Sequence, residues 1–291
     1  MKKFLIVVFI CLVGKPSSEQ IVVPSMKRLR MVGAGQTRFK IDSMDEALEK
    51  ISQFRFQAGY LSKVVFVGRN FGVRQFGVAP GVTYHHRSGL NLEYEGNFWS
   101  GMPNRYALTD LGIYYEKSLS DHFYLSTGYW RLFFNDEDPE ERKLLNNVFM
   151  FEGGWLNTIG SIAASYYFMG GTEQAHCLDL NLSKSIDFYA LLGADRLSLE
   201  PAFTFMFSTA NYLLFLDDLP ETELENQGAF KIANYEFTLP VIYRKLGKFE
   251  INGSWHYAMP VNAIVGENLK SFSYLTLEFT RILTNKKVHL N

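Results

Sequence analysis

From about Phe54 to Leu283, hydrophobic and polar positions alternate with a period of two, the mark of strands that carry one apolar face. The stretch from Gly89 to Trp99 shows it most cleanly, with Leu90, Leu92, Tyr94 and Phe98 set against Asn91, Glu93, Glu95 and Asn97. Leu111, Ile113 and Tyr115 alternate in the same way with Asp110, Gly112 and Glu116, and Leu178, Leu180 and Leu182 with Asp179, Asn181 and Ser183. Further on, Tyr235 and Phe237 oppose Glu236 and Thr238, and Ile251, Trp255 and Tyr257 oppose Asn252, Ser254 and His256. Cutting the chain at its turn signals predicts twelve strands, at 54–67, 73–86, 89–100, 106–118, 121–134, 147–156, 158–169, 175–184, 196–208, 230–244, 248–258 and 271–283. Pro80, Pro201 and Pro240 fall inside three of them. A missing amide breaks a ladder, so bulges or strand ends are expected at these prolines.

The spacing is about 19 residues per strand and connection, which suits strands of roughly 10 to 14 residues crossing a bilayer at a tilt. The connections sort by length. Short ones, 87–89, 118–121 and 245–248, follow even-numbered strands, and longer ones, 101–105, 135–147, 209–229 and 259–270, follow odd-numbered strands. The insert 185–196 is the exception and reads as a short helix within a turn on the short side. An even strand count returns both ends of the barrel to that side.

The N-terminal part differs. Lys2 and Lys3 precede the apolar run FLIVVFICLVG at 4–14, too short to span a membrane, and the polar KPSSEQ follows. This predicts a secretory signal peptide over 1–18. Residues 19–53 read as a polar periplasmic lead-in with one short helix, because Ser43 and Glu46 have capping-box spacing ahead of Ala47 and Leu48. The predicted organisation is therefore signal 1–18, lead-in 19–53, barrel 54–283 and tail 284–291. Loss of 1–18 leaves 26 basic residues against 30 acidic ones and a single cysteine, Cys177, so no intramolecular disulfide forms. A chain of this charge lacks the basic surface that phosphate backbones need, which excludes nucleic acid as an expected partner.

Alternation also occurs in soluble β-sandwiches, so the choice rests on what each face carries. Here the polar face holds ten carboxylates at near-regular positions: Glu93, Glu95, Asp110, Glu116, Glu152, Asp179, Glu200, Glu236, Glu250 and Glu278. The chain is 15% aromatic, and Phe98, Trp99, Tyr129, Trp130, Trp155, Trp255 and Tyr257 sit near strand ends, where interfacial girdles form. The fold class predicted is all-β, a transmembrane antiparallel barrel of about twelve strands, with a short N-terminal helical lead-in. On these features the chain resembles the outer-membrane β-barrel proteins of Gram-negative bacteria. Its SYLTLEF segment, with Leu275, Leu277 and Phe279 alternating, is similar to the final strand whose aromatic end serves that family as an assembly signal. Twelve residues follow Phe279, a departure from the family pattern. The resemblance implies residence in the bacterial outer membrane, contact with its lipids and use of barrel-assembly machinery during biogenesis.

The chemistry read from the residues is sparse. His86 and Ser88 lie two apart, as do the base and nucleophile of the outer-membrane phospholipases that this fragment resembles, but any H-x-S has that spacing. The six histidines lack ligand spacing and the GAGQ at 33–36 follows no strand, so neither a metal nor any other cofactor is implied. The expected function is a narrow, porin-like channel or small-solute binding barrel whose ten carboxylates line an acidic lumen that favours cationic or polar solutes. The alternatives are a membrane-embedded lipid hydrolase using His86 and Ser88, and a structural or surface-binding barrel acting through 135–147 and 209–229. No pattern in the chain specifies the solute.

Overall fold

The computed structural model describes residues 51–65, 75–100, 105–135, 145–157, 159–189, 195–209, 229–245, 247–262 and 270–284. The signal peptide, the lead-in helix and the C-terminal tail predicted above lie outside them. The described chain forms fourteen β segments in one antiparallel sheet. These are β1 (Gln53–Leu61), β2 (Gly77–His85), β3 (Leu90–Trp99), β4 (Tyr106–Ser118), β5 (Phe123–Phe134), β6 (Asn147–Leu156), β7 (Ser161–Gly170), β8 (Gln174–Ser183), β9 (Ile186–Tyr189), β10 (Asp195–Leu199), β11 (Ala202–Ser208), β12 (Lys231–Lys245), β13 (Phe249–Pro260) and β14 (Phe272–Thr284). β9 continues β8, and β10 runs into β11, because both β10 and β11 pair with β12 and β9 pairs with β10. The segments therefore make twelve staves. β1 pairs with β14, Gln53 opposite Thr284, so the sheet closes into a barrel.

Closure leaves a face inside and a face outside, and the alternation decides which residue takes which. Phe54, Phe56, Leu92, Tyr94, Ile113 and Leu277 are exposed on the outer wall, while their neighbours Gln53, Asn91, Glu95 and Asp110 are buried. An apolar band of this extent on the outside of a closed sheet is what lipid requires and what water penalises. Following the paired residues once round the barrel returns to β1 about 16 residues further along, which sets a strand tilt near 45° and a backbone radius of roughly 12 Å.

The ends at which β2 meets β3, β4 meets β5, β6 meets β7 and β12 meets β13 lie on the same side as Gln53 and Thr284, as the connection lengths predict. The insert 185–196 corrects the sequence reading. Ile186–Tyr189 and Asp195–Leu199 are strands, not a helix. The reason is local: Ile186 and Phe188 alternate with Ser185 and Asp187, and the long lower end of β12 needs a partner, which β10 supplies from Asp195 opposite Lys245 to Leu199 opposite Val241. Of the three prolines only Pro201 stands at a strand end; Pro80 and Pro240 lie inside β2 and β12, paired with Ala58 and Ser254 on one side, and the ladder lapses only on the other. β2 and β3 pair on either side of Ala79 and Pro80 but not at them. Pro201 separates β10 from β11 at the level of Pro240 in β12, so two missing amides share one gap. Bulges between Asn97 and Phe98 and between Met206 and Phe207 shift the register, which explains why the consecutive pairs Ala107, Leu108 and Ala233, Asn234 are all buried.

Candidate functional site in the barrel interior

The inner wall divides into an apolar block and a polar remainder. Trp99, Leu108, Trp130, Leu132, Val148, Met150, Tyr167 and Met169 pack together in the half of the barrel near the longer loops. Trp99 and Trp130 were expected in the outer girdle, and the structure corrects this: they are 5% and 2% exposed, inside the barrel. Each adjoins an outward aromatic, Phe98 or Tyr129, and successive strand residues cannot share a face. Trp155, Trp255 and Tyr257 do face outward.

Trp130 lies flat against the wall instead of across the lumen. A Cβ on Gly112 would run into its Nε1, and one on Gly128 would meet its Cη2 and Tyr114 Cβ at 2.6 Å each. The two glycines are the recess that accepts the ring, and Tyr114 stacks on its other side at 5.7 Å and 18°. Tyr124 rests on Gly154 in the same manner.

The ten predicted carboxylates all fall on the inward parity. Glu95, Asp110, Asp179, Glu200 and Glu236 are buried, while Glu93, Glu116, Glu152, Glu250 and Glu278 are half-buried. They are distributed over the wall in distinct local networks. Gln57 Nε2 donates to Glu95 Oε2 at 3.2 Å, and Asn97 Nδ2 donates to Glu95 Oε1 at 3.4 Å and Asp110 Oδ2 at 3.1 Å. Ser165 Oγ donates to Glu152 Oε2 at 2.7 Å, and Thr280 Oγ1 to Glu278 Oε1 at 3.0 Å. Arg244 pairs with Glu250. Asp179 lies within electrostatic reach of Glu236 and Glu152, and Glu152 within reach of Glu116.

Glu236 anchors the most complete network. His256 Nδ1 donates to its Oε1 at 2.9 Å, and Tyr274 Oη reaches both carboxylate oxygens at 3.0 Å. His256 Nε2 meets Thr276 Oγ1 at 3.2 Å, and the imidazole stacks on Tyr274 at 4.3 Å and 9°. This ties β12, β13 and β14 together in a buried, satisfied cluster. Sequence reasoning did not single out His256 or Tyr274; their parity with Ser254 and Thr276 was the available signal. It also missed Asp187 and Arg196, because 185–196 was read as helical. Arg196 Nη2 lies 2.8 Å from Asp187 Oδ1, with both side chains largely buried, and Ser185 and Ser198 donate to the same oxygen at 2.9 and 2.7 Å.

His86 and Ser88 do meet. Ser88 Oγ lies 2.8 Å from His86 Nδ1, which also accepts the Ser88 amide at 3.3 Å. The pair sits in the exposed turn between β2 and β3. The nearby Asn91 serves the other histidine, accepting from His85 Nδ1 at 2.8 Å. Among the described residues no side chain orients the far ring nitrogen of His86, and the arrangement is that of a polar turn. Cys177 is wholly buried, with its Sγ 2.9 Å from Ser208 Oγ. No group of three metal-ligating side chains occurs among the described residues.

No family model and no curated protein matches the chain. Among solved structures it is similar to the NanC porin, 12% identical with a TM-score of 0.43 over 80% of this chain and 100% of that one. It is also similar to the KdgM porin, 8% identical with a TM-score of 0.45 over 79% and 98%. LpxR from Salmonella typhimurium is 9% identical with a TM-score of 0.47 over 78% and 99%. At these identities the likeness is one of fold. The described residues by themselves show a closed twelve-stranded antiparallel barrel with an apolar outer wall.

Proposed function

We propose that this chain is an outer-membrane β-barrel that passes or holds small cationic or polar solutes through an acidic interior. The observation that carries the proposal is the charge of the inner wall. Among the described residues eleven inward carboxylates, the ten predicted and Asp187, face four inward cations, Arg55, Arg196, Lys231 and Arg244, and Arg196 pairs with Asp187 and Arg244 with Glu250. Carboxylates in a low-dielectric tube raise the local concentration of cations and repel anions. Five of the ten acids keep contact with solvent, which supports a hydrated path, and the apolar block confines that path to part of the cross-section. In this reading segment 1–18 directs export, 19–53 stands on the periplasmic side, and the outer wall meets outer-membrane lipids after insertion by assembly machinery.

The test is single-channel conductance of the mature chain in planar bilayers under asymmetric salt, where the reversal potential reports selectivity. Cation-selective steps that move toward neutrality in Glu93→Gln with Glu116→Gln are expected. Anion selectivity, or a folded barrel that carries no current and binds no cation, refutes the proposal.

The His86 and Ser88 contact supports a second reading as a lipid hydrolase acting on membrane lipids. Lipase activity in the wild type that disappears in Ser88→Ala is its requirement. Absence of activity in wild type removes it.

A further inference from the structure

Reading the registers across the sheet brings out an order that no single strand contains. Glu116 in β4 stands opposite Ser126 in β5, Ser126 opposite Glu152 in β6, and Glu152 opposite Ser165 in β7. Ser165 stands opposite Asp179 in β8, Asp179 opposite Met206 in β11, and Met206 opposite Asn234 in β12. One inward row therefore alternates acid and hydroxyl over five staves and ends on a thioether and an amide. Of the inward rows on either side of it, Ser118 to Glu236 holds no Lys, Arg or His, and the row from Tyr114 through Ser208 holds none until it reaches Lys231 on β12. His256 on β13 is engaged with Glu236.

The upper end of this row has acceptors without donors. Asp179 Oδ1 has no hydrogen-bond partner although the residue is 7% exposed. Asn234 Oδ1 has none although the residue is wholly buried, its amide nitrogen leaning on Met206 Sδ at 3.5 Å. Glu152 has one oxygen bonded to Ser165. A buried acceptor left unmade is costly, and more so when it carries charge. The missing element is a group that only donates and is positively charged. Ammonium and guanidinium are such groups, with three and five N–H donors and no acceptor. A metal ion fits less well, since no three ligating side chains converge among the described residues.

We infer that Glu152, Asp179 and Asn234 form a run of recognition stations for the ammonium and guanidinium groups of a small solute, each group engaging one station or two neighbouring ones. This rests on reading the interior as one that takes cationic solutes, and it adds to that reading a requirement for N–H donors. A cation without them feels the field of the wall but cannot satisfy Asp179 Oδ1 and Asn234 Oδ1.

The experiment compares two probes on the full folded chain in detergent micelles by titration calorimetry: arginine amide, which carries both donor groups, and tetramethylammonium, which carries the charge and no N–H. Arginine amide should bind about tenfold tighter or more. The near-isosteric Asp179→Asn, whose folding is checked by heat-modifiable gel mobility, should erase most of that difference, and Asp121→Asn in the exposed 119–122 turn should preserve it. Equal affinity for the two probes in the wild type overturns the inference without any variant, as does full discrimination by folded Asp179→Asn. A barrel that is silent in bilayers yet discriminates the probes keeps the stations and sinks the channel. One that conducts cations without discriminating does the reverse.

Discussion

Gly128→Ala isolates what the recess beneath Trp130 contributes. The added methyl would lie 2.6 Å from Trp130 Cη2 and 2.6 Å from Tyr114 Cβ, both far inside ordinary contact. Tyr114 Cβ cannot yield without its strand, since Tyr114 and Gly128 are direct partners in the β4–β5 ladder. The ring has little room to swing, being 2% exposed and enclosed by the apolar block. Overpacking of this kind costs about 1 to 3 kcal/mol. Against it stands the gain of about 0.4 to 1 kcal/mol from removing a glycine's freedom in the unfolded chain. Gly253→Ala measures that gain alone, because its methyl would meet only Leu277 Cδ1 at 3.9 Å. The difference between the two variants is then the clash, about 1 to 3 kcal/mol against Gly128→Ala. Equilibrium urea unfolding in lipid vesicles, followed by tryptophan emission, reads it. Equal midpoints and slopes for the two variants would refute the account of Trp130 as a ring seated on glycine.

Three further outcomes follow from the interior networks. Tyr274→Phe removes the donor to both Glu236 oxygens and should lower unfolding stability by about 1 to 3 kcal/mol; an unchanged urea midpoint counts against the network. Asp187→Ala leaves Arg196 without its carboxylate in a largely buried site and should cost about 3 to 5 kcal/mol, read in the same assay, with a loss below about 0.5 kcal/mol contradicting it. Selectivity that comes from the field of the wall should fade between about 0.1 M and 1 M salt as the screening length falls from roughly 10 Å to 3 Å, and a reversal potential ratio independent of salt opposes that origin.

The barrel was legible in the chain because a closed sheet with lipid outside and polar groups inside imposes one rule on every stave. Glu93 and Glu95, flanked by Leu92 and Tyr94, obey it without exception, and so do the other eight acids. Where the chain was misread, two physical demands competed within one short stretch. At 185–196, the alternation of short and long connections left no room for a further full strand and so pointed to a helix, while Ile186, Phe188 and Leu197 belonged to short strands that β12 required. At Trp99 and Trp130, bulk and position near a strand end suggested an interfacial ring, but parity sent both inward, to recesses shaped in part by Gly77 and Gly112 on the neighbouring strands. Such pairings join residues far apart in the chain. The acid row and the Glu236 cluster were invisible for the same reason, because each is a property of register between strands and not of any one segment. Two consecutive buried residues at Ala233 and Asn234 likewise arise from a bulge that simple alternation does not announce.

The tilt of the staves turns the row from Glu116 to Asn234 into something like a screw thread. It crosses six strand-to-strand steps of about 4.8 Å, and at an incline near 45° it climbs about 20 Å, most of the height of a roughly 25 Å apolar belt, while passing round about a quarter of the circumference. Its carboxylates recur every second stave, about 10 Å apart. In the proposed channel a cation advancing along it revolves about the barrel axis by about a quarter turn. A compact ion can hop between such stations, whereas a stiff rod with charges at both ends cannot follow the curve. Geometry of this kind sorts solutes by their flexibility as well as by their charge.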